Sequence, residues 1–211
     1  MKTKISLLAA AITLIASNSF ATPISGVDGF GLPIVPGATS TITFDAQANA
    51  TFTSLSLDGV TFSGIGGSLR TNNSYPNQYN GRGARYMDNN SGATKGFRFD
   101  FAAPVSAFAF NWGASDVTWT LSGYDTLNHL IESYATPITH GSNAGDYIGL
   151  AANGMKYATL TSNSGDYVFV DNFTVAAGAA NGATVPEPGS LALIGLGLLG
   201  ACLIRKRTHK V

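Results

Sequence analysis

Two groups of side chains in this chain of 211 residues have the types and spacing to do chemistry. The first lies in residues 70–94, RTNNSYPNQYNGRGARYMDNNSGAT, which is rich in Asn, Tyr and Arg and almost free of aliphatic residues. Tyrosine rings offer flat apolar faces to pyranose rings, and Asn and Arg offer directional hydrogen bonds to hydroxyls. Read as a loop, the stretch is unusually long, and such loops are often functional. Tyr75, Tyr79, Arg82, Arg85 and Tyr86, with Trp112 as a further stacking surface, are therefore the candidate contacts to a sugar or polymer. The competing reading is a solvated loop packed by its own tyrosines. The second group is acidic: Asp45 ends one alternating run, and Asp171 and Asn172 sit within the late run YVFVDNFTV. Asp and Asn are hard oxygen donors of the kind Ca²⁺ takes. Strict alternation puts Asp171 on the same face as Phe169 and Phe173, where a lone carboxylate is costly unless paired or bound to metal. Asp45, Asp171 and Asn172 are thus candidate ligands of a structural calcium. The alternative is an edge strand with Asp171 facing water.

Catalytic signatures are missing. There is no G-x-S-x-G and no P-loop, and His129 and His140 lack a Cys or carboxylate at zinc-ligand spacing. A glycosidase needs two carboxylates across a cleft, and no Asp spacing marks such a pair. The expectation is a protein that is not an enzyme, with a polysaccharide hydrolase on the same scaffold as the alternative.

The elements that must position these groups read as β-strands. Gly, Thr, Ser, Asn and aromatic residues are plentiful and exposed-helix formers are scarce. Short alternating runs at 41–45, 50–57, 60–63, 97–101, 105–112, 117–124, 130–134, 147–150, 157–162 and 167–175 are separated by turn residues. Asp58-Gly59 predicts a hairpin, and Pro104 is expected to separate two strands. FRFDF at 97–101 places three phenylalanines on one face and Arg98 and Asp100 on the other. The pattern predicts an all-β, jelly-roll-like β-sandwich over residues 22–175.

The termini read differently. Residues 1–21 have a positive start (Lys2, Lys4), an apolar centre and small residues at Ser19 and Ala21, the form of a secretory signal peptide. Residues 176–185 are small and flexible in composition, a tether. Residues 186–208 begin Pro186-Glu187-Pro188, continue in an uncharged apolar run over 191–204 and end in Arg205, Lys206 and Arg207. The prolines hold any helix to the residues after Pro188, and the basic end suits the cytoplasmic side of a membrane. The run is shorter than the ~20 residues of an ordinary spanning helix, and a transmembrane helix entered from outside is the expectation. Formal neutrality hides an asymmetry: between the termini, eleven acids face six bases, about five charges negative. That argues against a nucleic-acid partner. The single cysteine, Cys202, lies in the apolar run, so the exported part must hold together without a disulfide.

Pro-Glu-Pro, apolar run and Arg/Lys cluster, in that order, resemble the PEP-CTERM sorting signal of Gram-negative bacteria. The resemblance implies processing by an exosortase-type enzyme, transient anchoring in the inner membrane, and delivery to the cell surface or extracellular matrix. DGVTFSG at 58–64, PVSAFAFNW at 104–112 and VDNFTV at 170–175 resemble, more loosely, the small exported β-sandwich bodies that precede such tails. Some of these are tied to biofilm or extracellular polymer, which implies an extracellular matrix or biofilm component; the carbohydrate binding expected of it comes from residues 70–94.

Overall fold

In the computed structural model, residues 22–29 and 32–178 are described. The chain divides at Gly178, and every described residue belongs to the first unit. The expected signal peptide, sorting segment and apolar run, and all but the start of the tether, lie outside the described residues. Among the described residues there is no helix long and apolar enough to cross a membrane.

Twelve strands form the body: β1 (Thr22–Val27), β2 (Ser40–Ile42), β3 (Ala50–Phe52), β4 (Ser54–Leu57), β5 (Val60–Gly64), β6 (Leu69–Asn72), β7 (Tyr86–Asp88), β8 (Gly96–Gly113), β9 (Thr120–Tyr124), β10 (Leu130–Ala135), β11 (Asp146–Thr161) and β12 (Phe169–Ala177). All pairings are antiparallel. The two long strands make the sandwich. The first half of β8 pairs with β5 and with the second half of β11, which pairs with β9. The second half of β8 pairs with β12 and with the first half of β11, which pairs with β1. Each long strand therefore belongs to two sheets and bends between them.

The bend explains a correction. Pro104 does not end a strand; β8 runs through it. Ladder pairing of β8 to β11 lapses between Asp100 and Val105, so the missing N–H of Pro104 costs no ladder bond. On β11 the register shifts at the same level, around Gly154 (φ 78°). Lys156 Nζ donates to the carbonyls of Phe101 (2.5 Å) and Ala102 (3.0 Å), which the bend leaves open. The tight turn at Asp58-Gly59 forms as expected, both residues at positive φ (44° and 81°), joining β4 to β5. The run 50–57 divides into β3 and β4, and β12 runs two residues past the expected end of the body.

The core is aromatic. Phe97, Phe99 and Phe101 of β8 are buried, while Arg98 and Asp100 pair outside at 2.7 Å. Phe173 of β12 is the hub, with ring centroids 5.2 Å from Phe62, 4.9 Å from Phe99, 5.4 Å from Phe108 and 5.6 Å from Phe110. Replacing it removes contacts to both sheets at once. Phe173→Ala is expected to cost about 3–5 kcal/mol, read as a fall in the denaturation midpoint at unchanged m-value.

Candidate ligand-binding cleft

Residues 70–94 are not one long loop. β6 and β7 lie inside the stretch and pair as Arg70↔Asp88, Thr71↔Met87 and Asn72↔Tyr86. Asp88 is fully buried and satisfied: Arg70 Nη2 (3.0 Å), Asn72 Nδ2 (3.1 Å) and the Tyr167 hydroxyl (3.2 Å) all donate to Oδ2. What remains, residues 73–85, is a shorter loop folded against the outer face of the second sheet.

The seating of that loop follows from β12. Its register to β8 shifts between Asp171 and Thr174, and Asn172 is at φ 45°. The bulge breaks the alternation. Val168, Val170, Phe173 and Val175 all enter the main core, while Phe169 and Asp171 face outward beneath the loop. Asp171 therefore does not share a face with Phe173, contrary to strict alternation; it is buried by the loop.

Carboxylates and amides fasten the loop. Asp171 Oδ2 accepts from the Arg82 amide at 2.6 Å, and Oδ1 from the Asn172 amide at 2.8 Å. Asp45 Oδ1 accepts from the amides of Ala84 (2.5 Å) and Arg85 (2.9 Å). Asn80, buried, donates to the Trp112 carbonyl (2.8 Å) and to Asp146 (2.9 Å) and accepts from the Gly145 amide (2.9 Å). Gly113 lets the loop approach this closely, since a Cβ there would sit 1.5 Å from the Tyr79 carbonyl oxygen.

The expected sugar contacts now divide. Tyr75 and Tyr79 line a cleft of about 250 Å³ together with Tyr167, Phe169, Ala114, Asp116, His140 and Gly141. Arg82 and Arg85 serve the loop: Arg82 donates to Asn143 Oδ1 (3.1 Å) and the Gly29 carbonyl (2.8 Å), and Arg85 to the Asp45 carbonyl (2.8 Å) and Asn49 Oδ1 (3.1 Å). Tyr86 and Trp112 are buried, at 1% and 0% exposure, and offer no ring face to a ligand. Tyr86 stacks under Phe169 at 4.1 Å, and Trp112 packs edge-on against Trp119 at 5.8 Å. Phe169, Tyr167, Asp116 and His140 were missed. The alternation of Tyr167 and Phe169 in YVFVDNF was the available signal for the first two; nothing in the sequence brings His140 to them.

Within the cleft, Tyr75 and Tyr79 meet nearly at right angles (84°, 5.6 Å), and Tyr75 lies roughly parallel to Phe169 (25°, 6.0 Å). His140 Nδ1 and Asp116 Oδ1 are 2.9 Å apart at the rim. Tyr79 (φ 52°), Ala114 (φ 60°) and His140 (φ 46°) all hold the left-handed backbone conformation that non-glycine residues rarely adopt. Such strain persists where surrounding structure enforces it, and it concentrates at functional sites.

A family model, the PEP-CTERM protein-sorting motif, matches residues 184–207. The chain carries a PEP-CTERM sorting motif. No curated protein matches it. Solved structures that match the chain include a mutant of the carbohydrate-binding module CBM29-2 (12% identity over 79% of this chain and 99% of that one, TM-score 0.31). Another CBM29-2 mutant, complexed with mannohexaose, matches at 11% identity over 79% and 99%, also with TM-score 0.31. At that score the folds overlay only loosely, and nothing about a ligand passes from those modules to this chain.

The acidic pair has its own chemistry. Burial, with the nearby Asp45 charge adding to it, pushes the Asp171 carboxyl up to about 8. Asn172 turns away, donating its Nδ2 to Asn111 Oδ1 at 2.9 Å. Among the described residues no three His, Cys, Asp or Glu side chains converge, so a calcium ion here needs carbonyls and water beyond Asp45 and Asp171. Between the ordinary carboxylate range and pH 8, folded Asp171 keeps a proton that the unfolded chain has released. Stability is therefore expected to fall as pH rises from about 4 to about 8, and Asp171→Asn to flatten that slope in thermal melts across the range.

Proposed function

We propose that this is an exported, surface-sorted, non-catalytic protein whose cleft binds carbohydrate, serving as an extracellular matrix or biofilm component. The sorting motif supports processing by an exosortase-type enzyme and transient residence at the inner membrane on the way to the cell surface. The binding reading rests on one observation: solvent-reachable rings of Tyr75 and Tyr79 converge with Tyr167 and Phe169 in a cleft whose walls are held in strained backbone conformations. At about 250 Å³ the cleft is smaller than the roughly 300–1,000 Å³ of drug-sized sites, which suits one sugar ring or a chain end. The jelly-roll assignment belongs to the same reading. It is supported by partners that are far apart in the chain, such as β12 beside β2 and β1 beside β11.

The structural calcium is part of this proposal. Asp45 and Asp171 would hold the ion against the underside of the loop, where it would take the place of the proton on Asp171. Adding Ca²⁺ should then raise the melting temperature at pH 8 and EDTA should lower it; identical melts in both would rule the ion out.

The cleft is tested by glycan-array binding of the purified body. Tyr75→Ala and Tyr79→Ala are each expected to weaken binding about tenfold, near the ~1.4 kcal/mol of a lost aromatic contact, at unchanged melting temperature. Full binding in the double variant would move the site elsewhere. Shortened polysaccharide chains after incubation would instead identify a hydrolase.

A further inference from the structure

The cleft differs from a platform for stacking neutral pyranose rings. A platform presents rings side by side in one plane. Here Tyr79 stands across Tyr75 (84°), and beneath them Phe169, 1% exposed, is the floor that Tyr79 (82°) and Tyr167 (80°) both stand across, so the walls a ligand meets are the three tyrosines. Rings at right angles form the corner of a box, the arrangement that surrounds a cation with the negative faces of several π systems. The charges agree. Among the described residues no Lys or Arg lines the cleft. The neighbouring Arg70 guanidinium lies 6.0 Å from the Tyr167 ring but is paired to buried Asp88 at 3.0 Å. Among the described residues the lining carboxylate is Asp116, 73% exposed at the mouth; its Oδ1 is taken by His140 Nδ1 at 2.9 Å, so a ligand whose far end enters the box meets Asp116 through Oδ2. Tyrosine is already used this way elsewhere in the molecule, where the Arg98 guanidinium sits 3.8 Å above the Tyr157 ring.

We infer that the cleft selects a sugar carrying a free, protonated amine, a de-N-acetylated hexosamine unit of a polysaccharide, over neutral or acidic sugars. The inference rests on the carbohydrate reading and sharpens it. The ammonium enters the corner formed by Tyr75 and Tyr79, Asp116 pairs with it from the rim, and the pyranose ring lies against the remaining ring edges. Acetylation removes the charge, and uronic acids bring a carboxylate toward Asp116 and a body already net negative.

Three probes separate the claims: tetramers of glucosamine, of N-acetylglucosamine and of glucose, titrated calorimetrically into the purified body at pH 6 and low salt. The glucosamine tetramer is expected to bind about tenfold tighter than the other two, and to lose most of that advantage as salt is raised. Asp116→Asn, a change at an exposed side chain, should abolish the preference for the glucosamine tetramer over the uncharged two. Equal affinity for all three sinks the amine inference and leaves the carbohydrate reading standing. A preference that survives in Asp116→Asn also sinks it, because attraction of a polycation to the acidic body would then suffice. Binding by none of the three overturns both.

Discussion

The structure depends on one irregularity in its last strand. A strand of strict alternation would commit Phe169, Asp171 and Phe173 to one face, either stranding a carboxylate in the aromatic core or turning Phe173 out of it. The bulge at Asp171 and Asn172 resolves this conflict by changing sides midway. Phe173 enters the core and joins both sheets, while Phe169 and Asp171 face the other way and become the floor on which the 73–85 loop is laid. Core closure and cleft assembly thus follow from the same two residues.

The loop itself has little apolar surface to hold it. Its order comes from hydrogen bonds between side chains and backbone. Asp171 and Asp45 take the amides of residues 82, 84 and 85, and Asn80 reaches Trp112, Gly145 and Asp146. Each such bond contributes only about 0.5–1.5 kcal/mol net, but leaving a buried partner unmade costs more, so the set acts together. That set offsets the unfavourable φ of Tyr79 and fixes its ring.

Much of the fold was legible because its signals are local. FRFDF, VSAFAFNW and the Asp58-Gly59 turn each declare a strand or hairpin within a few residues. β6 and β7 were hidden because Arg70, Asn72 and Asp88 read as loop residues, although buried Asn72 and Asp88 are partners of each other, of partly buried Arg70 and of Tyr167. β1 was hidden by Pro23 and Gly26, tolerated because it is an edge strand. The cleft was half legible. Tyr75 and Tyr79 stood out by composition. Tyr86 stood out equally and is buried, since composition does not say which ring faces inward. The arginines looked like ligand contacts and are spent on carbonyls and amides of the protein. His140 and Asp116 reach the cleft only through long-range topology.

The placement of β12 also sets the order in which the molecule can be made. The strand nearest the end of the described body lies between β8 and β2, and it carries the ring that joins the two sheets. A chain delivered from its N-terminus, whether by a ribosome or through a pore, cannot complete its hydrophobic centre until residue 177 has emerged. Until then the earlier strands lack their central partner, and the dominance of sequence-distant pairings makes premature closure slow. Late arrival of the keystone keeps the polypeptide threadable for as long as it is in transit.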